Sequence, residues 1–434
     1  MFLVLIFLAL SCWLIIRQYQ KVSRLPPGPK YGNIFTLWVG PVPHVSICDY
    51  ETSHEVFVKG ANKYADIAHA PLFRELRQEM GVLVTNGSHW STMKRFALHT
   101  FRDMGVGKDL METRIMEELD ARCADTDKSA TDGVTVAQAG DFFDLTVGSI
   151  INSILVGKRF EEHNKDDFLK IKEAMGAAFE VFSPFDMAVP VWFLRTFFRS
   201  RYDMMMTTQN TAKRFAAAEA VKSIETLKTM IIDLWMTGQE TTTTTLISGF
   251  TQLLLHPEVM VKAREEILKI TENGSRHLSL TDRTSTPYLN AMIGEIQRHA
   301  SILNVSFWKI NKELTYMGGH PVDAGALVTA QLSALHVNDT IFKNPQEFDP
   351  ERFIRDEELL QKVIPFGVGK RSCIGESLAR AELYLVRHLQ YRISNFLFRL
   401  LGTFCSAINS NRMEHCRQQS CCRIAPEKDH SSWK

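Results

Sequence analysis

The sequence predicts a mainly α protein with a small β part, and three observations carry that reading. Helical periodicity dominates the body: Leu289, Met292, Ile293 and Ile296 form an i, i+3, i+4, i+7 stripe. Strand-like pieces are few and short, with Phe35 to Val39, Val45 to Cys48 and Leu327 to Ala330 the clearest. The 434 residues are 45% hydrophobic and 23% charged, values that suit a sizeable core and exclude disordered, collagen-like and coiled-coil chains. Fifty basic against forty-nine acidic residues leave a net charge of +1, so no global field recruits nucleic acid. Eight cysteines without a C-x-x-C argue against a disulfide scaffold and remove the commonest zinc and thioredoxin-like readings.

Taken in order, the chain opens on an apolar run from Phe2 to Ile16, broken by Ser11 and followed by Arg17, Lys21 and Arg24. As a helix this run reaches roughly 22 Å, short of the ~30 Å hydrocarbon core; snorkelling of Arg17 and local thinning cover part of the gap. A cleaved signal peptide would want basic residues before the run and a small-residue cleavage site; here the charges come after it. The expectation is an uncleaved anchor over residues 1–20, with the body on the cytoplasmic side by the positive-inside rule. Leu25-Pro26-Pro27-Gly28-Pro29 cannot continue a helix and reads as a stiff joint. A long helix is expected from about Thr226 to Leu255, stopped by His256-Pro257. Thr286 is placed to cap the next helix, with Pro287 in its first turn. Ala124 to Gly133 and Thr271 to Leu278 read as surface loops, and no composition break divides the body.

The most informative stretch is Phe366-Gly367-Val368-Gly369-Lys370-Arg371-Ser372-Cys373-Ile374-Gly375. Its glycines permit close backbone approach or positive φ. A helical segment from about Glu376 through Val386 follows, so Cys373 sits just before a helix N-terminus with Arg371 nearby. Exposed amides and a cation favour a thiolate, which is a nucleophile or a metal ligand. A phosphate loop fails twice: Ile364 stands where the Walker glycine belongs, and Arg371 follows the lysine in place of Ser or Thr. A nucleophilic cysteine would want a histidine base, for which the sequence singles out no partner. A buried cysteine in a turn is the bland alternative.

Phe366, Gly369, Arg371, Cys373 and Gly375 match F-x-x-G-x-R-x-C-x-G, and here the sequence resembles the cytochrome P450 superfamily, the haem-thiolate monooxygenases. The resemblance implies the cytochrome P450 fold, incomplete at its C-terminal end, and a haem b whose iron takes Cys373 as axial ligand. A thiolate there pushes electron density toward iron and favours O–O cleavage. It also implies that Arg371 pairs with a haem propionate and that Phe366 packs beside the ligand. Glu295-Ile296-Gln297-Arg298 matches the family's E-x-x-R helix, whose i, i+3 pair are neighbours. Asp349-Pro350-Glu351-Arg352-Phe353 resembles the P-E-R-F segment, so Arg352 is expected to join Glu295 and Arg298 behind the haem.

Trp90-Ser91-Thr92-Met93-Lys94-Arg95 resembles the family's W-x-x-x-R helix, whose ends reach propionates; Lys94 keeps the charge but loses bidentate geometry. His336 aligns with a propionate-binding histidine of the microsomal branch. Thr237-Gly238-Gln239-Glu240-Thr241-Thr242 matches the pattern in which an acid–alcohol pair, here Glu240 and Thr241, manages proton delivery. Glycine costs up to about 1 kcal/mol in a helix interior, so a functional distortion of that helix is expected. Thr237 replaces a small residue and predicts a more crowded or polar groove.

The resemblance breaks in three places: between Pro29 and Tyr31, where a first helix is omitted; between about Ala218 and Thr226; and after Val386. The chain thus divides into the anchor over residues 1–20, a haem-thiolate monooxygenase domain over 21–386 and a divergent tail over 387–434 without convincing strand alternation. It reads as a shortened or mis-spliced member. The function implied is insertion of one oxygen atom from O₂ into a small lipophilic substrate at the endoplasmic reticulum membrane, as in xenobiotic metabolism. No G-x-G-x-x-G fingerprint occurs, so electrons are expected from a separate NADPH-dependent cytochrome P450 reductase. The alternatives are a haem-binding or interaction protein without turnover, and a haem-thiolate isomerase or dehydratase, which Glu240 and Thr241 disfavour.

Overall fold

In chain order the elements of the computed structural model begin with β1 (Ile34–Val39), β2 (Val42–Ile47), α1 (Tyr50–His54), α2 (Pro71–Arg77), α3 (Gly87–Asp103), α4 (Asp109–Lys128), β3 (Thr135–Ala137) and α5 (Ala139–Val156). They continue with α6 (Val191–Phe197), α7 (Arg199–Glu219), α8 (Glu225–Leu255), α9 (Pro257–Ile270), α10 (Pro287–Ala300), β4 (Lys309–Ile310), β5 (Thr315–Met317), β6 (His320–Val322) and β7 (Leu327–Ala330). The last are α11 (Leu332–His336), α12 (Arg352–Arg355), α13 (Glu358–Gln361), α14 (Glu376–Leu385) and β8 (Phe396–Phe398). The structure describes residues 32–39, 42–68, 71–78, 80–105, 109–128, 135–137, 139–161, 165–166, 168–169, 172–173, 189–219, 225–386 and 396–398. The predicted anchor, the first break and most of the tail lie outside the described residues.

The mainly α reading with a small β part holds. The principal sheet has the order β1-β2-β7-β4; β2 and β7 run parallel, with Val45 opposite Val328 and Ile47 opposite Ala330. These four side chains are buried and form one core with Phe57, Leu332 and Ile364. The larger core lies among α4, α5, α8, α10 and α14, and takes in all four residues of the 289–296 stripe. Among the described residues α5 is the one helix long and apolar enough to cross a membrane, but 67% of it is buried inside the fold, as a core helix would be.

Four details depart from the sequence reading. Thr286 does not cap α10; its hydroxyl donates to the Asp282 carbonyl and lies 2.7 Å from the Tyr384 hydroxyl. The first-turn amides of Tyr288 and Leu289 instead donate to the Glu266 carboxylate at 3.0 and 2.8 Å, which suits the positive helix end. The segment 124–128, read as loop, continues α4. The tail contributes a strand: β8 pairs parallel with β3, Phe396 opposite Thr135, through a fully apolar triplet that shows no alternation to read. Finally, Gly238 marks no break in α8. A Cβ there would meet Ile151 Cδ1 at 2.8 Å, so the glycine lets α5 and α8 approach.

Candidate active site

The cysteine loop is shaped by two glycines in the left-handed region, Gly367 at φ 67° and Gly369 at φ 82°. A Cβ on Gly369 would stand 1.9 Å from the carbonyl oxygen of Phe57, so that position admits only glycine. The turn brings the Cys373 amide onto the Phe366 carbonyl at 3.0 Å, just before α14. Arg380 lies 4.9 Å from the centre of the Phe366 ring. Cys373 faces a cavity of about 660 Å³ whose wall also includes Trp90, Lys94, Glu240, Thr241, Phe366 and Arg371. Every residue named from the sequence as catalytic or cofactor-binding therefore meets at one cavity. Burial pushes the Cys373 thiol above its ordinary pKa, and the Gly375 amide and Lys94 oppose the shift without reversing it. The helix-end amide and the cation thus act in the direction the sequence implied, against the desolvation of the cavity wall. Among the described residues no three of His, Cys, Asp and Glu gather as a metal cluster.

Three cations border this loop. Arg371 lies 3.7 Å over the Trp90 ring, and donates to the carbonyls of Ala65 and Thr85 and to Asn86 Oδ1, each at 2.7 Å. Its Nη1 is buried without an acceptor, and burial brings its pKa down to about 10. Lys94 donates to the Lys370 carbonyl at 2.5 Å and sits 5.4 Å from the Trp90 ring; burial and the neighbouring Arg371 lower its pKa. Lys309, which the sequence reading missed, is 4% exposed and lies on the cavity wall. It donates to Ser306 Oγ and the Phe307 carbonyl, both at 2.9 Å, and burial lowers it to about 7. A lone lysine in a short strand carries no sequence signal. None of the three pairs with a carboxylate of the described residues within ion-pair reach.

His336 departs from expectation. It borders the cavity, yet both ring nitrogens have protein partners: Nε2 accepts the Ile364 amide at 3.1 Å, and Nδ1 lies 2.7 Å from Ser301 Oγ. Burial and Arg298 hold its pKa down at about 4, so the ring is neutral and clamps α11 to the cysteine loop; no ring nitrogen remains for a propionate.

The opposite wall is α8. Thr237, Thr241 and Thr245 donate to the carbonyls of Asp233, Thr237 and Thr241 at 2.7, 2.7 and 2.8 Å. The Thr237 proton is thus spent inside the helix, and its donor adds no polarity to the groove. Glu240 makes itself felt at Lys172, a half-buried cation that also pairs with Asp144. A second acid unmarked by the sequence reading, Glu382 on α14, is buried, bonded to Thr242 and pushed up to about 8 by burial.

Behind the cavity the two predicted charge motifs meet. Glu295 accepts Arg298 through Nε and Nη2 at 2.8 Å each, Arg352 Nε at 3.2 Å and the Asp349 amide at 2.9 Å. Arg298 also donates to the carbonyls of His336, Pro345 and Glu347. Every partner in this buried network is met.

The sequence model of the family described as Cytochrome P450 matches residues 27–222 and 203–401. The chain belongs to the cytochrome P450 family. It is a monooxygenase of that family, and the match extends past Val386, where the sequence reading had ended the resemblance. Among similar curated proteins, Probable cytochrome P450 cyp-35D1 of Caenorhabditis elegans is 41% identical over 459 positions, covering 89% of this chain and 92% of the relative. Cytochrome P450 2M1 of Oncorhynchus mykiss is 29% identical, covering 85% of each, and cytochrome P450 2A6 of Homo sapiens is 28% identical, covering 87% of each. The first alignment is longer than the 434 residues of this chain, so that P450 carries internal residues with no counterpart here.

Membership implies a haem-thiolate cofactor. The residues present fit it. The orphaned Arg371 Nη1 and the buried Lys309 are donors without an anionic partner, as a group bearing two carboxylates requires. One thiol in a cavity without other gathered ligands suits a metal whose remaining ligands belong to its own macrocycle.

Proposed function

We propose that this P450 binds haem b through Cys373 and oxidises small lipophilic substrates, with electrons from an NADPH-dependent cytochrome P450 reductase. The observation that carries the reading is the convergence of Cys373 with three cations that lack carboxylate partners on one largely apolar cavity. Cys373 would hold the iron, and coordination would keep its sulfur as thiolate against the desolvation that favours the thiol. Arg371, Lys94 and Lys309 would hold the propionates, with Trp90 fixing the Arg371 plane. When bound, the haem supplies the redox chemistry that inserts one atom of O₂ into a C–H bond. Thr241 Oγ1 gives its own proton to the Thr237 carbonyl and keeps lone pairs free to orient a water. The adjacent Glu240 carboxylate would carry protons in toward that hydroxyl. Apolar walls exclude bulk water and receive the substrate. The anchor over residues 1–20 would hold the body on the cytoplasmic face of the endoplasmic reticulum, where lipophilic foreign compounds concentrate.

The test is reconstitution of the full chain in membranes with reductase, measuring oxidised product per NADPH over a panel of lipophiles. Product is expected, and Thr241→Ala should cut product per NADPH several-fold while NADPH use continues. An unaltered yield would contradict the proton-delivery role. A second reading, haem binding without turnover, is favoured by the internal residues that the relative carries and this chain lacks. It predicts haem uptake with no product from any member of the panel.

A further inference from the structure

Arg77 ends α2, is 4% exposed and lines the same cavity on the side of α8. It forms a buried ion pair with Asp233, Nη2 to Oδ1 at 3.4 Å, without hydrogen-bond geometry. Asp233 Oδ1 and Arg77 Nη1 are both buried without a hydrogen-bond partner, and beyond the ion pair Nη2 reaches the Met236 thioether at 3.8 Å. The other carboxylate oxygen is fully used: Oδ2 accepts the amides of Val82 and Leu83 at 2.9 and 3.1 Å. Gly81, at φ 87°, brings that loop so close that a Cβ would lie 2.2 Å from Oδ2. Asp233 is therefore anchored by backbone through Oδ2, while Arg77 supplies its counter-charge and keeps Nη1 without an acceptor.

A guanidinium has five N–H donors, and leaving buried ones unmet costs about 1–3 kcal/mol for each group. At the Glu295 network the same cost is avoided entirely, because Arg298 finds acceptors on both sides. The cavity wall that Arg77 shares is largely apolar, Phe73, Leu76, Ile151 and Met205 among its residues, with Thr208 and Gln209 also on it. The acceptor that Nη1 lacks can be supplied by a molecule entering the cavity. The planar fork matches a carboxylate better than any single oxygen, and a carboxylate enters an apolar cavity only where a cation receives it.

We infer that Arg77 sets the specificity of the substrate cavity by receiving the carboxylate of an otherwise apolar substrate. The inference rests on the monooxygenase reading, since the ligand is the substrate. Its test is calorimetric binding of dodecanoate, methyl dodecanoate and dodecanol to the haem-loaded full chain in detergent. The acid is expected to bind at least about tenfold more tightly than the alcohol, with the ester between. Arg77→Met should weaken the acid by about 10- to 100-fold and leave the alcohol unchanged, and Arg77→Lys should keep part of the preference. Equal affinity for acid and alcohol in the wild type would overturn the inference, as would unaltered acid binding by Arg77→Met. Should Arg77→Met lose both ligands, Arg77→Lys decides: a retained acid preference supports the inference and none overturns it. Turnover of dodecanoate and of dodecanol with reductase is read on the same samples. Turnover without acid preference sinks the inference alone; acid preference without turnover sinks the monooxygenase reading alone.

Discussion

Two sets of buried charges, one off the cavity wall and one on it, are built on opposite principles. In the Glu295–Arg298–Arg352 cluster each guanidinium and both carboxylate oxygens find partners within the protein. Around the cavity, Arg371 Nη1 and Arg77 Nη1 have none, and Lys309 is held by a hydroxyl, a carbonyl and the face of the Phe57 ring, with no carboxylate. The first cluster is closed and serves the fold. The second is open, and its unmet donors describe what must be bound there.

The largest effect should separate the two at once. Arg298→Ala leaves a carboxylate buried beside too few donors, and is expected to destabilise by about 3–5 kcal/mol, read by thermal or denaturant unfolding. Lys309→Met removes a buried cation that has no counter-charge, so the haem-free protein should be no less stable than wild type. Its haem should be lost about tenfold faster, measured by transfer to a scavenging apoprotein. Equal destabilisation by the two substitutions would break the comparison. The smallest effect concerns His336, held at about 4 against an ordinary 6.5. Between these values the unfolded chain binds the proton and the fold does not, so stability falls as pH drops from about 6.5 to 4. The contribution is at most about 1.4 kcal/mol per unit of pH. His336→Gln should flatten that limb of a stability–pH profile, and an unchanged slope would show that the ring is not buried neutral.

How much of this was legible follows from how local each signal is. The cysteine loop, the central helix and the E-x-x-R pair are written in contiguous residues, and their positions followed from spacing. Contacts between distant segments were not. Arg77 and Asp233 are brought together by Gly81, which no periodicity marks. Gly238 read as a helix violation and is instead a packing contact with Ile151. His336 drew attention by its alignment with a propionate-binding histidine, yet its partners, Ser301 and Ile364, come from two other segments.

The central claim is that Cys373 supplies a thiolate ligand to a haem in this cavity. The carbon-monoxide difference spectrum of the reduced full chain in membranes tests it most directly, with Cys373→Ala beside the wild type. The account predicts a strongly red-shifted Soret band in the wild type that Cys373→Ala abolishes. A band at the position typical of neutral ligation in the wild type, or an identical spectrum in both proteins, would contradict it.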